Sequence, residues 1–479
     1  MNVCVLQPDY STSSVDYQYY DPRRDLSPLF PGATVEHVLL NKLTTYKQLK
    51  ALSKKKYDVF VNLCEGYLEW EVPSIDVIYT LELLNLPFTG PTSVLYDPPK
   101  ELMKYVASCE GVLTPKHVLI ETADNLEAAC KHLHFPLFVK PAKAGDSLGV
   151  DDKSMVNDLA GLQQKVASII DEYGELLIEE YIDGREFTVL IAANADGKTS
   201  TVYKPVEFIF PTGTHFKTYA LKTSELHPDA NIPCTDPSID ARLRDAAQRI
   251  YSGFNGVGYA RLDFRMNDKG EIFFLEINFT CSVFYSDGYE GSADYILRHD
   301  GSTQSQFLQH IIAEGIARHQ RKQKCYAMKG NAIEGYGIYA TRNIKAGEVV
   351  FKGEEKAQRV VTRSYVEQNW SEKQKDVFKR YAYPICEEVF ILWDENAAEW
   401  APQNHSCDPN TTYRGLNVVA IRPISAGQEL TLDYACLCNE DMEPFQCHCK
   451  SASCRGMITG IPNNSVASRE QQARVNGGI

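Results

Sequence analysis

The chain has 479 residues, 44% of them hydrophobic and 23% charged, and its formal net charge at pH 7 is -14. This length predicts two or three domains, and the near-average composition disfavours a disordered or low-complexity chain. The acidic surplus lies before residue 321, which disfavours the basic face that binding to nucleic-acid phosphates requires.

The N-terminus and the cysteines indicate a cellular compartment. The first residues, MNVCVLQPDY, contain no basic segment, and no run of about 18 apolar residues occurs in the chain. We therefore predict a soluble, non-secreted protein of the cytoplasm, or alternatively of the nucleus, with neither a membrane nor a nucleic acid as partner. In such a protein the 14 cysteines are expected to be thiols and metal ligands rather than disulfides.

Strands and helices alternate in the first hundred residues. The stretches MNVCVLQ and YDVFVNL predict short buried strands, and PSIDVIYTLELLNLPFTG predicts a helix that is closed by Pro87 and Gly90. Four apolar residues of this helix lie at helical spacing on one face, namely Val77, Ile78, Leu81 and Leu84. The alternation predicts an α/β sheet.

Strand patterns dominate from residue 110 to 280, interrupted by predicted helices at 155–171 and 238–252. A helix near 303–319 runs into RHQRKQK, a charged segment that we interpret as a linker. After it, short strands with glycine-bearing turns indicate a change of architecture, and the last stretch, NNSVASREQQARVNGGI, predicts a disordered tail.

The stretch ARLDFRMNDKGEIFFLEIN (260–278) predicts a hairpin that turns at NDKG. If Met266 pairs with Glu271, then Arg261 lies opposite Glu276. Period-two alternation puts four polar residues on one face of this hairpin, namely Arg261, Asp263, Glu276 and Asn278. Oxygen side chains at this spacing suit hard cations such as Mg²⁺, and a solvated strand face is the alternative interpretation.

A loop of small residues precedes this hairpin. The stretch FPLFVKPAKAGDSLGV predicts a strand that ends at Lys140, and the loop after it contains Gly145, Ser147 and Gly149. Backbone N–H groups of such a loop can approach phosphates. Two further stretches, YDPPKELMK and LLIEEYIDGREFTVLI, contribute Lys100, Glu179 and Glu186.

Over roughly residues 1–315 these ordered motifs resemble the ATP-grasp superfamily, and within it the D-alanine–D-alanine ligases. The resemblance is carried by LNLPFTG, VKPAKAGDSLGV, LIEEYIDGREFTV and the hairpin with RLDF and LEIN. It implies an N-terminal α/β subdomain over 1–95, followed by an ATP-grasp domain of two α+β subdomains over 96–317.

The resemblance also implies site residues. Lys100 and Lys140 match lysines that hold the phosphates of ATP, and Lys222 in HFKTYALK matches a mobile-loop lysine at the γ-phosphate. Adenine and ribose are implied to contact Glu179, the backbone of Ile182, and Glu186. Two magnesium ions are implied at Asp263, Glu276 and Asn278, and stabilisation of a tetrahedral intermediate is implied for Arg261.

The chemistry implied is attack of a small-molecule carboxylate on the γ-phosphate, followed by capture of the acyl phosphate by an amine. The stretch FTCSVFYSDGYEG lacks the family's Pro-Gly pair and its substrate-binding serine. The loop PDYSTSSVDYQYYDP lacks the family's glutamate pattern for the first substrate. The resemblance therefore implies ATP-dependent ligation without implying D-alanine as a substrate.

The second part of the chain contains NHSCDPN (404–410), in which a histidine and a cysteine lie two positions apart. A nucleophile pair, a buried structural pair and a metal site are the three interpretations. A zinc site would combine Cys407 with the cysteines of CHCKSASC, namely Cys447, Cys449 and Cys454. On spacing alone, Cys436 and Cys438 compete with Cys407 for the fourth position.

Over about 325–460 the chain resembles the SET domain of protein-lysine methyltransferases. The matching motifs occur in the family's order, as EGYGIYATRNIKAGEVV, NHSCDPN, GQELTLDY and the post-SET stretch CHCKSASCRG. The resemblance implies that S-adenosylmethionine is bound by Gly335, Tyr336, Gly337, Asn404, His405 and Tyr434. Tyr434 is also implied to close the active site. One zinc ion is implied at Cys407, Cys447, Cys449 and Cys454.

From these motifs we place a linker at 318–326, a mainly-β SET domain at 327–436, a post-SET zinc segment at 437–460 and a tail at 461–479. Leu432 occupies a position that is linked in the family to the number of methyl groups transferred. The methyl acceptor implied is a lysine-containing protein or peptide, or a free amine.

We therefore predict a bifunctional enzyme that uses ATP, Mg²⁺, S-adenosylmethionine and Zn²⁺. One rival interpretation makes the SET half a zinc-stabilised module that recruits the ligase to a partner, and Asn404 and Tyr434 argue against it. Another makes the ligase half a degenerate nucleotide sensor, although nearly all its phosphate and metal positions are filled.

Overall fold

The structure, a computed structural model, describes residues 1–460 apart from 12, 14–20, 67–70, 144–147, 212, 214–215, 217–229, 323, 332–334, 352–358, 385–387, 393–402, 415–416 and 437–442. Lys222, Gly145, Ser147, Cys438 and the predicted tail therefore lie outside the described residues. The chain divides into two compact units, Met1–Lys322 and Gln323–Ile479.

The first unit begins with a parallel sheet in the order β2-β1-β3. Its elements are β1 Asn2–Pro8, β2 Thr34–Leu40, β3 Val59–Asn62, α1 Thr45–Leu52 and α2 Ile75–Leu83. In α2, Val77, Ile78 and Leu81 are buried as predicted, whereas Leu84 lies just after the helix and is half-buried. Short 3-10 turns occur at Ser27–Leu29, Lys42–Thr44 and Ser93–Leu95.

A four-stranded antiparallel sheet follows, in the order β4-β7-β5-β6. Its elements are β4 His117–Ile120, α4 Leu126–Ala129, β5 Leu137–Pro141, β6 Met155–Val156, α5 Leu159–Tyr173 and β7 Leu176–Glu180, and the helix α3 Lys100–Cys109 precedes it. Val139 and Ile178 point into a core beneath α5. Because side chains alternate along a strand, their neighbours Lys140 and Glu179 point to the opposite face.

A six-stranded sheet forms the centre of the first unit, with β11-β10-β8-β12-β13 in order and β9 paired to β8. Its strands are β8 Arg185–Ala193, β9 Ser200–Val202, β10 Val206–Phe208, β11 Asn231–Pro233, β12 Tyr259–Met266 and β13 Ile272–Asn278. Its helices are α6 Pro237–Gly253, α7 Ser292–Asp300 and α8 Gln304–Lys322. Phe187, Leu262 and Phe264 pack on one face in a core shared with α3 and α6.

The register of the β12–β13 hairpin differs from the prediction. Met266 pairs with Ile272 rather than Glu271, and an irregularity after Asp263 shifts the ladder by one more residue. Arg261 therefore lies opposite Asn278, and Asp263 lies opposite Glu276. The total shift is two residues, so the four polar side chains still share one face, because alternation has a period of two.

The end of α8 also differs from the prediction. The helix continues to Lys322, into the segment 318–326 that we predicted as a linker. Arg318 is 5% exposed and donates hydrogen bonds to the carbonyls of Gly90 (2.8 Å) and Phe88 (2.6 Å). A buried guanidinium requires such partners, and they hold the last turns of the helix against the first unit.

The second unit contains five small sheets among its described residues, each of two or three strands. Its strands are β14 Tyr326–Asn331, β15 Gly335–Ala340, β16 Val349–Phe351, β17 Arg359–Thr362, β18 Tyr383–Pro384, β19 Val389–Leu392, β20 Asn404–His405, β21 Thr411–Arg414, β22 Asn417–Ala420, β23 Thr431–Leu432, β24 Phe445–Gln446 and β25 Met457–Ile458. Its helices are α9 Arg363–Asn369 and α10 Glu372–Tyr381, and Tyr434–Cys436 is a 3-10 turn. Ile338, Val418 and Leu430 belong to its main core.

Within the described parts of both units, no helix combines the length and the apolar character needed to cross a membrane.

Candidate active sites

A cleft in the first unit lies between the four-stranded sheet and the β12–β13 hairpin. Seven of the residues predicted to bind ATP or magnesium line this cleft, namely Lys100, Lys140, Glu179, Ile182, Glu186, Asp263 and Glu276. Each comes from a different element or connection, and together they span more than 170 residues of sequence. Residues that were predicted from separate sequence motifs therefore line the same cleft.

One wall of the cleft is a buried carboxylate between two lysines. Glu179 is 3% exposed, and its carboxylate lies 2.5 Å from Nζ of Lys140 and 2.6 Å from Nζ of Lys104. Burial by itself raises the pKa of Glu179, but the two ammonium groups lower this pKa to about 2. Lys104 was missed by the sequence analysis, although it lies one helical turn after Lys100 and a helical pattern could have indicated it.

The contribution of this ion pair to stability is testable through Lys104. Removing one partner of a buried ion pair costs roughly 3–5 kcal/mol, and Lys140 still compensates part of the charge. For Lys104→Met we expect the opening free energy of β7 to fall by about 3 kcal/mol, measured by native-state hydrogen exchange. In wild type, the stabilisation is complete above the unfolded-state pKa of Glu, about 4.3, and is lost as pH falls towards 2.

Lys143→Met is the matched control, since Lys143 forms an ion pair with Glu175 (3.1 Å) and its side chain is 71% exposed. Exposed ion pairs contribute less than about 1 kcal/mol to stability, so the backbone amides of β7 should exchange their hydrogens almost as slowly as in wild type. Equal protection of β7 in the two variants would contradict the role of Lys104.

The opposite end of the cleft is organised by Arg265. Its Nε and Nη2 lie 3.2 and 3.1 Å from Oε2 of Glu186, and its Nη1 donates to the hydroxyl of Tyr181 (2.6 Å) and the carbonyl of Ile182 (2.9 Å). Arg265 was not predicted, but it follows Arg261 and Asp263 at period two on β12, and this alternation could have revealed it.

The predicted metal-binding face contains two carboxylates directly opposite each other, Asp263 on β12 and Glu276 on β13. Arg261 forms an ion pair with Asp263 (3.2 Å), and Oδ1 of Asn278 accepts hydrogen bonds from the backbone N–H (3.0 Å) and hydroxyl (3.1 Å) of Thr280. Carboxylate and amide oxygens are the ligands that Mg²⁺ prefers, so this donor set fits the ion.

The predicted phosphate-binding loop is described only at its end. Gly149 has φ +72°, and a Cβ atom there would lie 2.6 Å from Cγ of Pro141. Lys165 on α5 donates hydrogen bonds to the carbonyl of Gly149 (3.0 Å) and to Asp151 (2.9 Å). These contacts anchor the loop to α5 where the chain leaves it.

A second candidate site lies in the second unit, where β15 passes next to β20. The amide of Asn404 donates hydrogen bonds to the carbonyl of Tyr336 (3.1 Å) and to Glu429 (2.8 Å). A Cβ atom at Gly337 would lie 2.2 Å from Oε1 of Glu429 and 2.9 Å from Nδ2 of Asn404. A larger residue at 337 would therefore displace the side chains of Glu429 and Asn404, and Gly335 has φ +85°, which glycine favours.

His405 connects this site to Tyr434. The backbone N–H of Tyr434 donates to Nδ1 of His405 (3.1 Å), so Nε2 carries the proton and faces Sγ of Cys407 at 3.4 Å. Burial lowers the pKa of His405, which keeps the imidazole neutral near pH 7. The hydroxyl of Tyr434 donates to the carbonyl of Gln403 (2.5 Å), and this bond orients the phenol.

Four cysteines lie together beside His405. The sulfur atoms of Cys407, Cys447, Cys449 and Cys454 all lie within 4.8 Å of one another. Cys407 and Cys447 are 3.8 Å apart, the separation of about 3.8 Å expected for tetrahedral zinc with bonds of about 2.3 Å. The thiol of Cys436 instead contacts Asp433 (3.4 Å). The four thiols therefore fit a structural zinc ion.

Two known families match the two units. Residues 109–284 match the family described as D-ala D-ala ligase C-terminus, and residues 335–435 match the SET domain family. The D-alanine–D-alanine ligase of Bacillus pumilus is 28% identical over 257 residues, which cover 51% of this chain and 67% of that enzyme. An uncharacterized protein of Sinorhizobium fredii, y4sG, is 30% identical over 249 residues, which cover 50% of this chain and 70% of that protein.

The crystal structure of the D-alanine–D-alanine ligase from Bacillus anthracis complexed with ATP matches with a TM-score of 0.51 at 19% identity, covering 67% of this chain and 99% of that one. At this identity the likeness shows the fold, which is the ATP-grasp fold. Other curated D-alanine–D-alanine ligases match over only 57% to 60% of their own length.

The two units thus define a fusion of an ATP-grasp domain with a SET domain. The chain contains a domain that matches the D-ala D-ala ligase C-terminus family at residues 109–284 and a SET domain at residues 335–435, as both resemblances predicted.

Proposed function

We propose that the chain is a bifunctional enzyme, with an ATP-dependent carboxylate–amine ligase in its first unit and an S-adenosylmethionine-dependent amine methyltransferase in its second. The observation that carries the ligase proposal is the convergence of Lys100, Lys140, Glu186, Asp263 and Glu276 on one cleft. Cationic and metal-binding groups in one cleft are what transfer of a phosphoryl group requires.

In the ligase reaction, a small-molecule carboxylate attacks the γ-phosphate of ATP and ADP leaves, which gives an acyl phosphate. An amine then attacks the acyl carbon, phosphate leaves, and the amine loses a proton as the amide forms. Magnesium held by Asp263, Glu276 and Asn278 would neutralise charge on the phosphates. Lys100 and Lys140 bind the phosphates, and Lys140 is held in place by Glu179 at 2.5 Å. Arg261, held by Asp263, stabilises the oxyanion that forms when the amine attacks.

In the methyltransferase reaction, S-adenosylmethionine would supply a methyl group that is attacked by a neutral amine. The packing of β15 against Asn404 supports a site for this cofactor at Gly335, Tyr336, Gly337, Asn404 and His405. Tyr434, fixed through its backbone by His405 and through its hydroxyl by Gln403, holds the amine in line with the methyl group. Cys407, Cys447, Cys449 and Cys454 would hold a zinc ion, which would stabilise the chain around His405.

A single experiment tests both halves. The full chain is incubated with ATP, Mg²⁺, labelled S-adenosylmethionine and a pool of metabolites and peptides, and the products are analysed by mass spectrometry. We expect condensation products that depend on ATP and methylated amines that gain one CH₂ each. Condensation without any methyl transfer would support the alternative in which the SET domain serves only as a binding module.

Tyr434→Phe tests the second active site. We expect methyl transfer to fall by about 100-fold, since one oriented hydrogen-bonding group contributes 10²–10³ in comparable sites, whereas ligation stays at the wild-type rate. The control is Tyr365→Phe, at an exposed position of α9, which should leave both rates unchanged. Undiminished methylation by the Tyr434 variant would show that another group orients the amine.

A further inference from the structure

Arg265 is not among the residues that the family resemblance implies, yet it lines the cleft and holds several of its residues together. It is 3% exposed and contacts three neighbours at once, namely Glu186, Tyr181 and Ile182. Its guanidinium carbon lies 4.9 Å from the ring centre of Tyr181 and 5.5 Å from that of Phe210. The guanidinium thus joins β12 to the connection between β7 and β8.

Two of these partners are groups that the resemblance to the ATP-grasp superfamily implies to contact the nucleoside. Glu186 lies at the start of β8 directly opposite Arg265, and the charged groups are 3.1 Å apart. The Ile182 carbonyl, which is predicted to contact the base, already accepts one hydrogen bond from Arg265. A carbonyl has two lone pairs, so this bond orients the group and leaves capacity for a ligand.

Charge gives a second reason for an arginine at this position. Glu186 is 6% exposed and lies in the same cleft as the proposed sites for the phosphates. A buried carboxylate without a counter-charge would become protonated or would repel a polyphosphate. Arg265 supplies this counter-charge at 3.1 Å, beside the carboxylate that is proposed to accept hydrogen bonds from hydroxyl groups.

We propose that Arg265 is a positioning residue for nucleotide recognition, which aims Glu186 at the ribose and the Ile182 carbonyl at the base. The proposal rests on the proposed function, because it assumes that the cleft binds ATP. It assigns Arg265 to the nucleoside end of the cleft, because Glu186 and Ile182 are the residues implied to contact ribose and base.

The test measures the affinity of the full chain for ATP, ADP, AMP and 2′-deoxy-ATP by isothermal titration calorimetry. For Arg265→Met we expect ATP, ADP and AMP to bind more weakly by the same factor, roughly 10- to 100-fold. The three nucleotides share the nucleoside, and the groups that are proposed to hydrogen-bond to it, Glu186 and the Ile182 carbonyl, are no longer held in position. The preference of wild type for ATP over 2′-deoxy-ATP should disappear. With saturating ATP, kcat of ligation should stay within about twofold, while KM for ATP rises.

Arg185→Met is the matched control. Arg185 is the neighbour of Glu186 and binds both carboxylate oxygens of Glu207 through Nε and Nη2 (2.7 and 2.5 Å), and it is not among the described residues that line the cleft. Its loss should leave all four affinities unchanged. A general weakening of the sheet, by contrast, would lower affinity in both variants and would overturn the proposal.

Arg265→Lys keeps the charge beside Glu186, but a single ammonium cannot reproduce the planar fork that reaches all three partners. We expect it to fold and to bind ATP with intermediate affinity. If wild type binds none of the nucleotides, the ligase proposal itself is wrong. If wild type binds ATP and both Arg265 variants bind all four nucleotides with the wild-type affinities, only the role of Arg265 is overturned.

Discussion

Replacement of Glu276 by glutamine should abolish amine-dependent release of ADP while leaving methyl transfer intact. Glu276 lies opposite Asp263 on the face that we propose as the magnesium site, and an amide supplies no charge to hold the ion at the phosphates. Loss of a residue that only hydrogen-bonds to a metal ligand already lowers metal affinity or activity by about 10- to 100-fold. For loss of a ligand itself we expect the rate of ligation to fall by at least about 100-fold. Both rates are measured in one mixture, by coupled detection of ADP and by transfer of labelled methyl groups.

Glu271→Gln provides the control within the same hairpin. Glu271 is exposed at the turn, where its carboxylate accepts a hydrogen bond from Asn267 (2.8 Å). This variant removes one acidic group from the hairpin without touching the cleft, so ligation should continue at the wild-type rate. Normal ligation by Glu276→Gln would show that the polar face of the hairpin is not a metal site.

Replacement of Cys407 by serine should remove zinc and methyl transfer together. Serine is a poor ligand, and zinc binding supplies about 10–16 kcal/mol of folding free energy in small zinc-dependent domains. Without the metal, Cys447, Cys449 and Cys454 would lose their connection to β20, and the neighbouring His405 would no longer hold the backbone of Tyr434. S-adenosylmethionine binding and methylation should therefore both fail, while ATP turnover in the first unit survives.

Metal analysis of the purified full chain gives the decisive measurement. We expect about one zinc per chain in the wild type, much less in Cys407→Ser, and the wild-type amount in Cys436→Ser, since the Cys436 thiol contacts Asp433 rather than the four-cysteine group. Equal zinc in the wild type and Cys407→Ser, with loss in Cys436→Ser, would transfer the fourth ligand to Cys436. A redox or nucleophilic Cys407 would likewise leave the zinc content of the serine variant unchanged.

The two families and their order could be read from the sequence, because each rests on several short motifs whose residues are close along the chain. Local alternation was equally informative. It placed Arg261, Asp263, Glu276 and Asn278 on one face of a hairpin even though the predicted register was wrong by two residues. An error of an even number of residues preserves the face, because successive side chains of a strand alternate.

Tertiary structure decided the contacts between elements that lie far apart in sequence. The pairing of β5 with β7 brings Lys140 to Glu179, and the packing of α3 adds Lys104, which ends the stretch YDPPKELMK but was not singled out in it. The same is true of Arg265 beside Glu186, 79 residues away, and of Cys407 beside Cys447, 40 residues away. Sequence periodicity determines which way a side chain faces within its own strand or helix. Which residue it contacts on another element depends on how the elements pack, and burial, charge compensation and sheet register together decide this packing.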